Sequence, residues 1–269
     1  MSSFKNKADV GILGGSGFYE FISKARKIEI NTPFGKPSAK ITLGNYQGKK
    51  VAFLPRHGEK HEFPPHEIPY RANLWAFKKI GVKQIIAPCA SGSLTPKIKP
   101  GDFVICDQFV DRTWGRNDTF FDGPKVIHAP MADPYCPILR KTAIQACDIL
   151  KIPYHQEGTI VVIQGPRFST RAESKWFQSQ GWQVVNMTAY PEMVLARELQ
   201  MCYINIALIT DYDTGLEGYQ DIKPVTAAEV LKVFQKNNQK IKTLLAAILK
   251  ILPLERTCGC AHSLDTAFI

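Results

Sequence analysis

Short apolar runs bounded by turn residues recur along the chain, and stretches with an apolar residue at every third or fourth position lie between them. Asp9–Leu13, Gln84–Ala87, Gly158–Gln164 and Gln183–Val185 read as strands. Ala39–Leu43 and Lys50–Leu54 flank Gly44-Asn45-Tyr46-Gln47-Gly48 as the arms of a hairpin. Phe103–Phe109 reads as one further strand after the turn Lys99-Pro100-Gly101-Asp102. Ile204–Ile209 has no polar alternation, which predicts a strand buried on both faces. The helical period marks Arg71–Ile80, closed by Gly81, and Pro137–Leu150. Thr170-Arg171-Ala172-Glu173 and Thr226-Ala227-Ala228-Glu229 are capping boxes: the first opens a helix ending near Gly181, the second a long final helix. That last helix gathers Val230, Phe234, Ile241, Leu244, Leu245, Ile248 and Leu252 on one face. Pro191 suits the first turn of another helix.

Strands and helices alternating in this way predict an α/β protein. No linker, repeat or low-complexity tract divides the 269 residues, so residues 1–269 are read as one domain. Asp111–Ala132 is the least regular stretch; an aromatic loop of that length, with Trp114, Phe120, Phe121 and His128, suits a lid or a subunit contact. No apolar run approaches the roughly 20 residues that span a bilayer. Met1–Asp9 is polar and lysine-bearing rather than secretory, so a cytoplasmic protein without a membrane partner is expected. The formal net charge is +10, but the bases are scattered, with neither an arginine stripe nor a nucleic-acid module. The field suits a small anion such as phosphate better than a nucleic acid.

The candidate chemistry lies at strand ends. Gly14-Gly15-Ser16-Gly17 follows the first strand and offers backbone N–H groups and a hydroxyl to an anion. A dinucleotide fold, with Glu29 as the ribose acid, is the rival; the glycine spacing fits neither G-x-G-x-x-G nor a P-loop. Arg56-His57-Gly58 closes the hairpin's second arm with a planar fork of donors and a further ring donor. Pro88-Cys89-Ala90-Ser91-Gly92-Ser93 reads as a second small-residue loop. Asp211 and Asp213 end the most apolar strand two residues apart, on one side if the strand persists. Like charges that close raise one pKa, so the pair can hold a proton between them and grip a ligand carrying both donor and acceptor. Seven cysteines include Cys258-Gly259-Cys260, with no C-x-x-C and no zinc-like spacing.

Taken in order, Gly14–Gly17, Asn31–Ser38, Pro55–Gly58, Gly92–Leu94, Pro100–Asp102, Gln108–Arg112, Gln164–Phe168, Asn186-Met187-Thr188 with Pro191-Glu192, and Thr210–Asp213 resemble the trimeric-type purine nucleoside phosphorylase family, on its methylthioadenosine-cleaving branch. The resemblance implies a central mixed β-sheet flanked by helices and a homo-oligomer, trimer or hexamer. It implies phosphorolysis of 5′-methylthioadenosine to adenine and 5-methylthioribose 1-phosphate, with inorganic phosphate as co-substrate and no metal or organic cofactor. Ser16, Arg56, His57, Ala90 and Thr188 take the phosphate-binding positions; Cys89 stands where relatives often carry a hydroxyl. Met187 takes the ribose platform, Phe168 the purine-stacking wall, and Ser169 the base edge. Asp211 is placed as the acid at purine N7 and Asp213 as the acceptor for N6, with the exchange of roles left open. His128 is placed in a neighbouring subunit's 5′ pocket. A broader phosphorylase that also takes adenosine, and a non-catalytic nucleoside-binding protein, are the alternatives. The Cys258/Cys260 tail is similar to archaeal heat-stable members, which implies disulfides, with Cys136–Cys202 and the C-x-C as candidate pairs.

Overall fold

The computed structural model describes residues 6–14, 23–216, 219, 222 and 224–268. In chain order the elements are β1 (Val10–Gly14), β2 (Ser23–Ile28), β3 (Ile41–Tyr46), β4 (Lys49–Pro55), α1 (Tyr70–Lys79), β5 (Gln84–Ser93), β6 (Phe103–Ile105) and β7 (Gln108–Arg112). There follow α2 (Pro137–Leu150), β8 (Tyr154–His155), β9 (Thr159–Ile163), α3 (Arg171–Ser179), β10 (Val184–Asn186), α4 (Ala189–Glu198), β11 (Cys202–Asp211) and α5 (Ala227–Ile251). The strands form one mixed sheet in the order β2-β3-β4-β1-β5-β10-β9-β7, with β11 beside β5 and carrying β6 and β8. The expected α/β fold with a central mixed sheet is therefore present.

β5 is the hinge of this topology. One side pairs with β11 along its length, from Gln84↔Cys202 to Gly92↔Asp211. The other side pairs with β1 only as far as Ile86, and with β10 only from Gly92 onward. Among the described residues, 87–91 thus face no strand on that side, and the carboxyl ends of β1 and β4 and the end of β10 open onto the gap. This is the kind of strand-order reversal at which open α/β sheets hold ligands.

The sheet is covered on both faces. Ile85, Ala87, Tyr203, Ala207 and Ile209 pack with α1 and α4, while Ile86, Cys202, Ile204, Ile206 and Leu208 pack with α2 and α5. Both faces of β11 being apolar explains the unbroken run in its sequence.

Four expectations change. The stretch Pro88–Ser93 is strand, not loop. Pro88 lies beyond the last residue paired to β1, where its missing N–H deprives no ladder partner, and the small residues fit between β11 and the converging loops. Phe103–Phe109 is two strands: β6 is antiparallel to β11, whereas β7 is parallel to β9. The chain leaves one ladder for the other at Cys106-Asp107, and the Asp107 carboxylate accepts from Gly158 N–H at 2.8 Å. The hairpin turn is Gln47-Gly48 alone, both at positive φ (48° and 78°), because a two-residue turn of that hand matches the strands' twist. The Thr170 capping box is complete. At α5, Thr226 accepts from Glu229 N–H, but the Glu229 carboxylate accepts from the Thr226 hydroxyl rather than from its N–H, so half the box is made.

Candidate active site

Arg56 leaves β4 and turns into the gap beside β5, buried at 3% exposure. Its Nε–H donates to one oxygen of Glu192 and an Nη2–H to the other at 3.0 Å; further N–H groups reach Leu13 O at 3.1 Å and Pro88 O at 3.2 Å. Four of its five N–H groups are therefore engaged, leaving one on Nη1. Burial opposes the guanidinium charge, but the Glu192 carboxylate outweighs it and the pKa stays raised. Glu192 is fully buried, and the Tyr203 hydroxyl donates to it at 2.9 Å. Arg56 thus ties the open edge of β5 to α4 and keeps one Nη1–H without a described partner; its charge is already paired.

His57 behaves differently from the expected donor. Its Nδ1–H donates to Phe63 O at 2.9 Å, and its ring stacks on His61 with centroids 4.3 Å apart. Burial, with the Arg56 charge and the His61 ring adding to it, lowers its pKa from 6.5 to about 4. At neutral pH the ring is uncharged, with its proton on Nδ1 and an acceptor at Nε2. The ring thus offers an acceptor at Nε2 rather than the further donor expected beside Arg56.

Thr188 is buried where β10 runs into α4, and its side chain makes no capping bond. The regular turns of α4 begin only at Pro191, since Tyr190 is extended (φ −104°, ψ 136°). Ala90 is half-buried in the stretch of β5 that pairs on the β11 side alone. Beneath these lies a polar seam: Asn186 Nδ2 donates to Cys89 Sγ at 3.3 Å, Cys89 Sγ lies 3.3 Å from Ser91 Oγ and 3.4 Å from Asn205 Oδ1, and Asn205 Nδ2 donates to Ala87 O at 3.3 Å. Cys89 therefore takes the place of a hydroxyl by joining this seam.

The acids meet at the other end of β5. A register shift between Ile209 and Asp211 sets Asp211 opposite Gly92. A Cβ on Gly92 would lie 2.8 Å from Asp211 Oδ1, so only glycine leaves room for that carboxyl. Asp211 accepts from the Thr210 hydroxyl at 2.7 Å and from Asp213 N–H at 2.8 Å. Asp213 has φ +52°, so the strand does not persist through it. The two carboxyls are accordingly not joined by a shared proton; among the described contacts each has its own donors. Asp213 accepts from Ser174 Oγ at 2.6 Å, and Gly215 N–H donates to the same hydroxyl at 3.0 Å. Burial raises both acids, Asp213 further through Asp211, while the hydroxyl and N–H donors hold each shift back. A raised carboxyl is what a general acid near neutral pH needs.

Ser169 is buried, and its hydroxyl faces Asp213 closely enough to hold that acid's upward shift back, although no well-formed hydrogen bond is made among the described residues. A buried hydroxyl so loosely held beside an acid is a place for a ligand atom. Phe168 next to it is 38% exposed, an open aromatic face. Met187 meets the turn before Phe168: a Cβ on Gly165 would lie 2.6 Å from Met187 Sδ. Arg116, from the irregular stretch, pins that turn by donating to Gln164 O at 2.8 Å and to Tyr190 O.

The family model described as the phosphorylase superfamily matches residues 9–250. The chain belongs to the phosphorylase superfamily. It is 52% identical over 260 residues to the S-methyl-5′-thioadenosine phosphorylase of Pyrococcus horikoshii, covering 97% of this chain and 99% of the other. Among solved structures it is similar to a methylthioadenosine phosphorylase from an antarctic soil metagenomic library, with TM-score 0.92, 39% identity, and coverage of 98% of this chain and 93% of that one. It is also similar to the Schistosoma mansoni methylthioadenosine phosphorylase in complex with adenine, with TM-score 0.87, 38% identity and 93% of each chain covered.

Within this superfamily member, Arg56, His57, Ala90, Met187, Thr188, Phe168, Ser169, Asp211 and Asp213 lie on the strands and loops around the open edge of β5. Ser16 falls outside the described residues. His128 shares no described contact with that group: it is exposed, and its N–H donates to Ala267 O at 2.9 Å. Sequence reasoning quoted Gly92 and Glu192 as motif residues without giving them a role, and did not single out Ser174. Glu192 had a signal, an acid directly after Pro191 on a helix packed against the sheet; Ser174 had none.

Proposed function

We propose that this chain cleaves 5′-methylthioadenosine with inorganic phosphate, giving adenine and 5-methylthioribose 1-phosphate. Phosphate sits at the gap in β5, against the free Nη1–H of Arg56, the Thr188 hydroxyl and the backbone at Ala90, with Ser16 completing the cradle. His57 Nε2 accepts the proton of monohydrogen phosphate and so orients an oxygen towards C1′. Bond cleavage places positive charge on the ribose and negative charge on the departing purine. Asp211 gives a proton to N7 and Asp213 accepts from the N6 amino group, while Ser169 hydrogen-bonds the base edge and Phe168 stacks on it. Met187 lies under the ribose. No metal takes part in these steps. His128 completes the 5′ pocket of a second copy in a homo-oligomer, trimer or hexamer. Among the described residues no helix is long and apolar enough to cross a membrane.

The observation that carries the reading is a half-buried and a buried carboxyl, both raised in pKa, beside a buried serine hydroxyl and an open aromatic face. A 6-oxopurine presents an acceptor where Asp213 also accepts, and mismatched buried polar groups are rejected strongly. The test is base release from methylthioadenosine, adenosine, inosine and guanosine, with and without phosphate. Phosphate-dependent release confined to the two 6-aminopurine nucleosides supports the assignment; equal release from inosine, or release without phosphate, rejects it.

A further inference from the structure

The two pairs of cysteines that the C-terminal tail suggested as disulfide partners come together at one point. Cys136 is the N-cap residue of α2, and Cys202 is the first residue of β11. Cys258 and Cys260 lie at the start of a short 3₁₀ turn, Gly259–His262. The four Sγ atoms all lie within 4.8 Å of one another, with Cys258 3.4 Å from Cys202 and 3.6 Å from Cys136. All four are thiols; no S–S bond joins them.

We propose that these four thiols form a structural tetrathiolate site for a soft divalent cation, zinc in the cell. Zinc bound by four thiolates at about 2.3 Å sets its sulfurs at the corners of a tetrahedron with edges of about 3.8 Å. Each sulfur here is within reach of all three others, which a tetrahedral centre requires. A disulfide requires only two sulfurs, about 2 Å apart. Three of the four residues are buried and Cys258 is half-buried, so the centre is closed, as structural zinc sites are.

The surroundings favour thiolate. The first turn of α2 directs its positive end at Cys136. The Arg197 guanidinium adds a positive charge near Cys260. Arg197 itself is fixed by donating to Pro130 O and Asp133 O, and its own carbonyl accepts from Ser263 Oγ at 2.9 Å. Such outer contacts hold a cation-bound thiolate cluster in place. Metal entry displaces the remaining thiol protons to solvent, so affinity rises with pH.

The site has a structural consequence. The tail beyond α5 already docks on the rest of the fold: Gln84 donates to Pro253 O, Arg256 to Gln200 O and Ser263 to Arg197 O, and Phe268 bridges Ile127 next to His128. A metal at the four thiols fastens this tail to α2 and β11 and so steadies the ledge that carries His128. The C-x-C pair and two distant single cysteines follow no common zinc spacing, which is why the pattern of cysteines alone argued against a metal.

The experiment is metal analysis of the full chain prepared under reducing conditions without chelator, and again after chelation and titration with zinc or cobalt. About one zinc per chain is expected, with the visible absorption of tetrahedral thiolate-bound cobalt on substitution. Cys136→Ser and Cys202→Ser are expected to lose both signals, while Cys147→Ser, at a buried thiol outside the cluster, keeps them. If Cys136→Ser fails to fold, Cys258→Ser in the exposed tail serves instead. A reduced, folded chain that binds no zinc or cobalt overturns the proposal. So does a thiol count on freshly unfolded protein showing the four cysteines already joined in pairs.

Discussion

The neutral His57 makes a quantitative prediction about acid stability. An unperturbed imidazole takes its proton at 6.5, whereas burial next to Arg56 and His61 holds this one neutral down to about 4. Between those values the unfolded chain binds a proton that the folded chain refuses. Stability is therefore lost as pH falls from 6.5 to about 4, and the loss is complete once the folded ring also titrates. The gap of about 2.5 units, at about 1.4 kcal/mol per unit, makes this loss on the order of 3 kcal/mol. The perturbation is His57→Gln, which keeps a polar side chain and removes the titration. Denaturant unfolding of both proteins across this pH range is the assay. The wild type is expected to lose about 3 kcal/mol more than the variant over the window, and the two curves to run parallel above it. The ring's own titration, followed by NMR, is expected near 4 with the proton on Nδ1. Parallel stability curves throughout, or a ring titrating near 6.5, would refute both the buried neutral imidazole and its assignment as acceptor for the phosphate proton.

Three other perturbations separate scaffold from chemistry. Glu192→Ala strands the buried Arg56 charge and is expected to cost about 3–5 kcal/mol of stability; an unfolding midpoint equal to wild type would show the pair to be dispensable. Gly92→Ala drives a methyl group to 2.8 Å from Asp211 Oδ1 and 3.0 Å from Val185 Cγ1, so turnover should collapse with much less loss of stability, and unchanged turnover would remove Asp211 from the chemistry. Ser174→Ala takes away the hydroxyl that donates to Asp213 at 2.6 Å and holds its pKa back; the pH profile of kcat/KM should move to higher pH, and a profile that stays in place argues that Asp213 does not titrate in the reaction.

The sequence was most informative where one physical constraint dominated. The unbroken apolar run of β11 marked a strand covered on both faces, and the Thr170 box marked the start of α3, because each signal is local. Pro88–Ser93 misled because its strand character comes from partners distant in sequence: β11 on one side, β10 on part of the other. Residues 103–109 misled because a two-residue change of ladder leaves no gap in the hydrophobic pattern. In the site, Arg56 and the acids were legible from their positions at strand ends. Their partners were not. Glu192, Ser174 and Gly92 are ordinary residue types whose roles arise only when α3, α4 and β5 converge. The Asp213 turn was likewise hidden, since positive φ at a non-glycine residue is set by tertiary contacts. His57 changed its chemistry for the same reason: its commitment to Phe63 O and its stacking on His61 depend on how the loop folds back.

The central claim is that the Asp211 carboxyl protonates the departing purine while Asp213 reads its amino group. The direct measurement is kcat for methylthioadenosine cleavage in Asp211→Asn, with saturating phosphate. A fall of about 10²–10⁴-fold is predicted, the contribution of a positioned general acid, with the phosphate KM little changed. A variant that turns over within about threefold of the wild type, well short of what loss of a general acid costs, would contradict it.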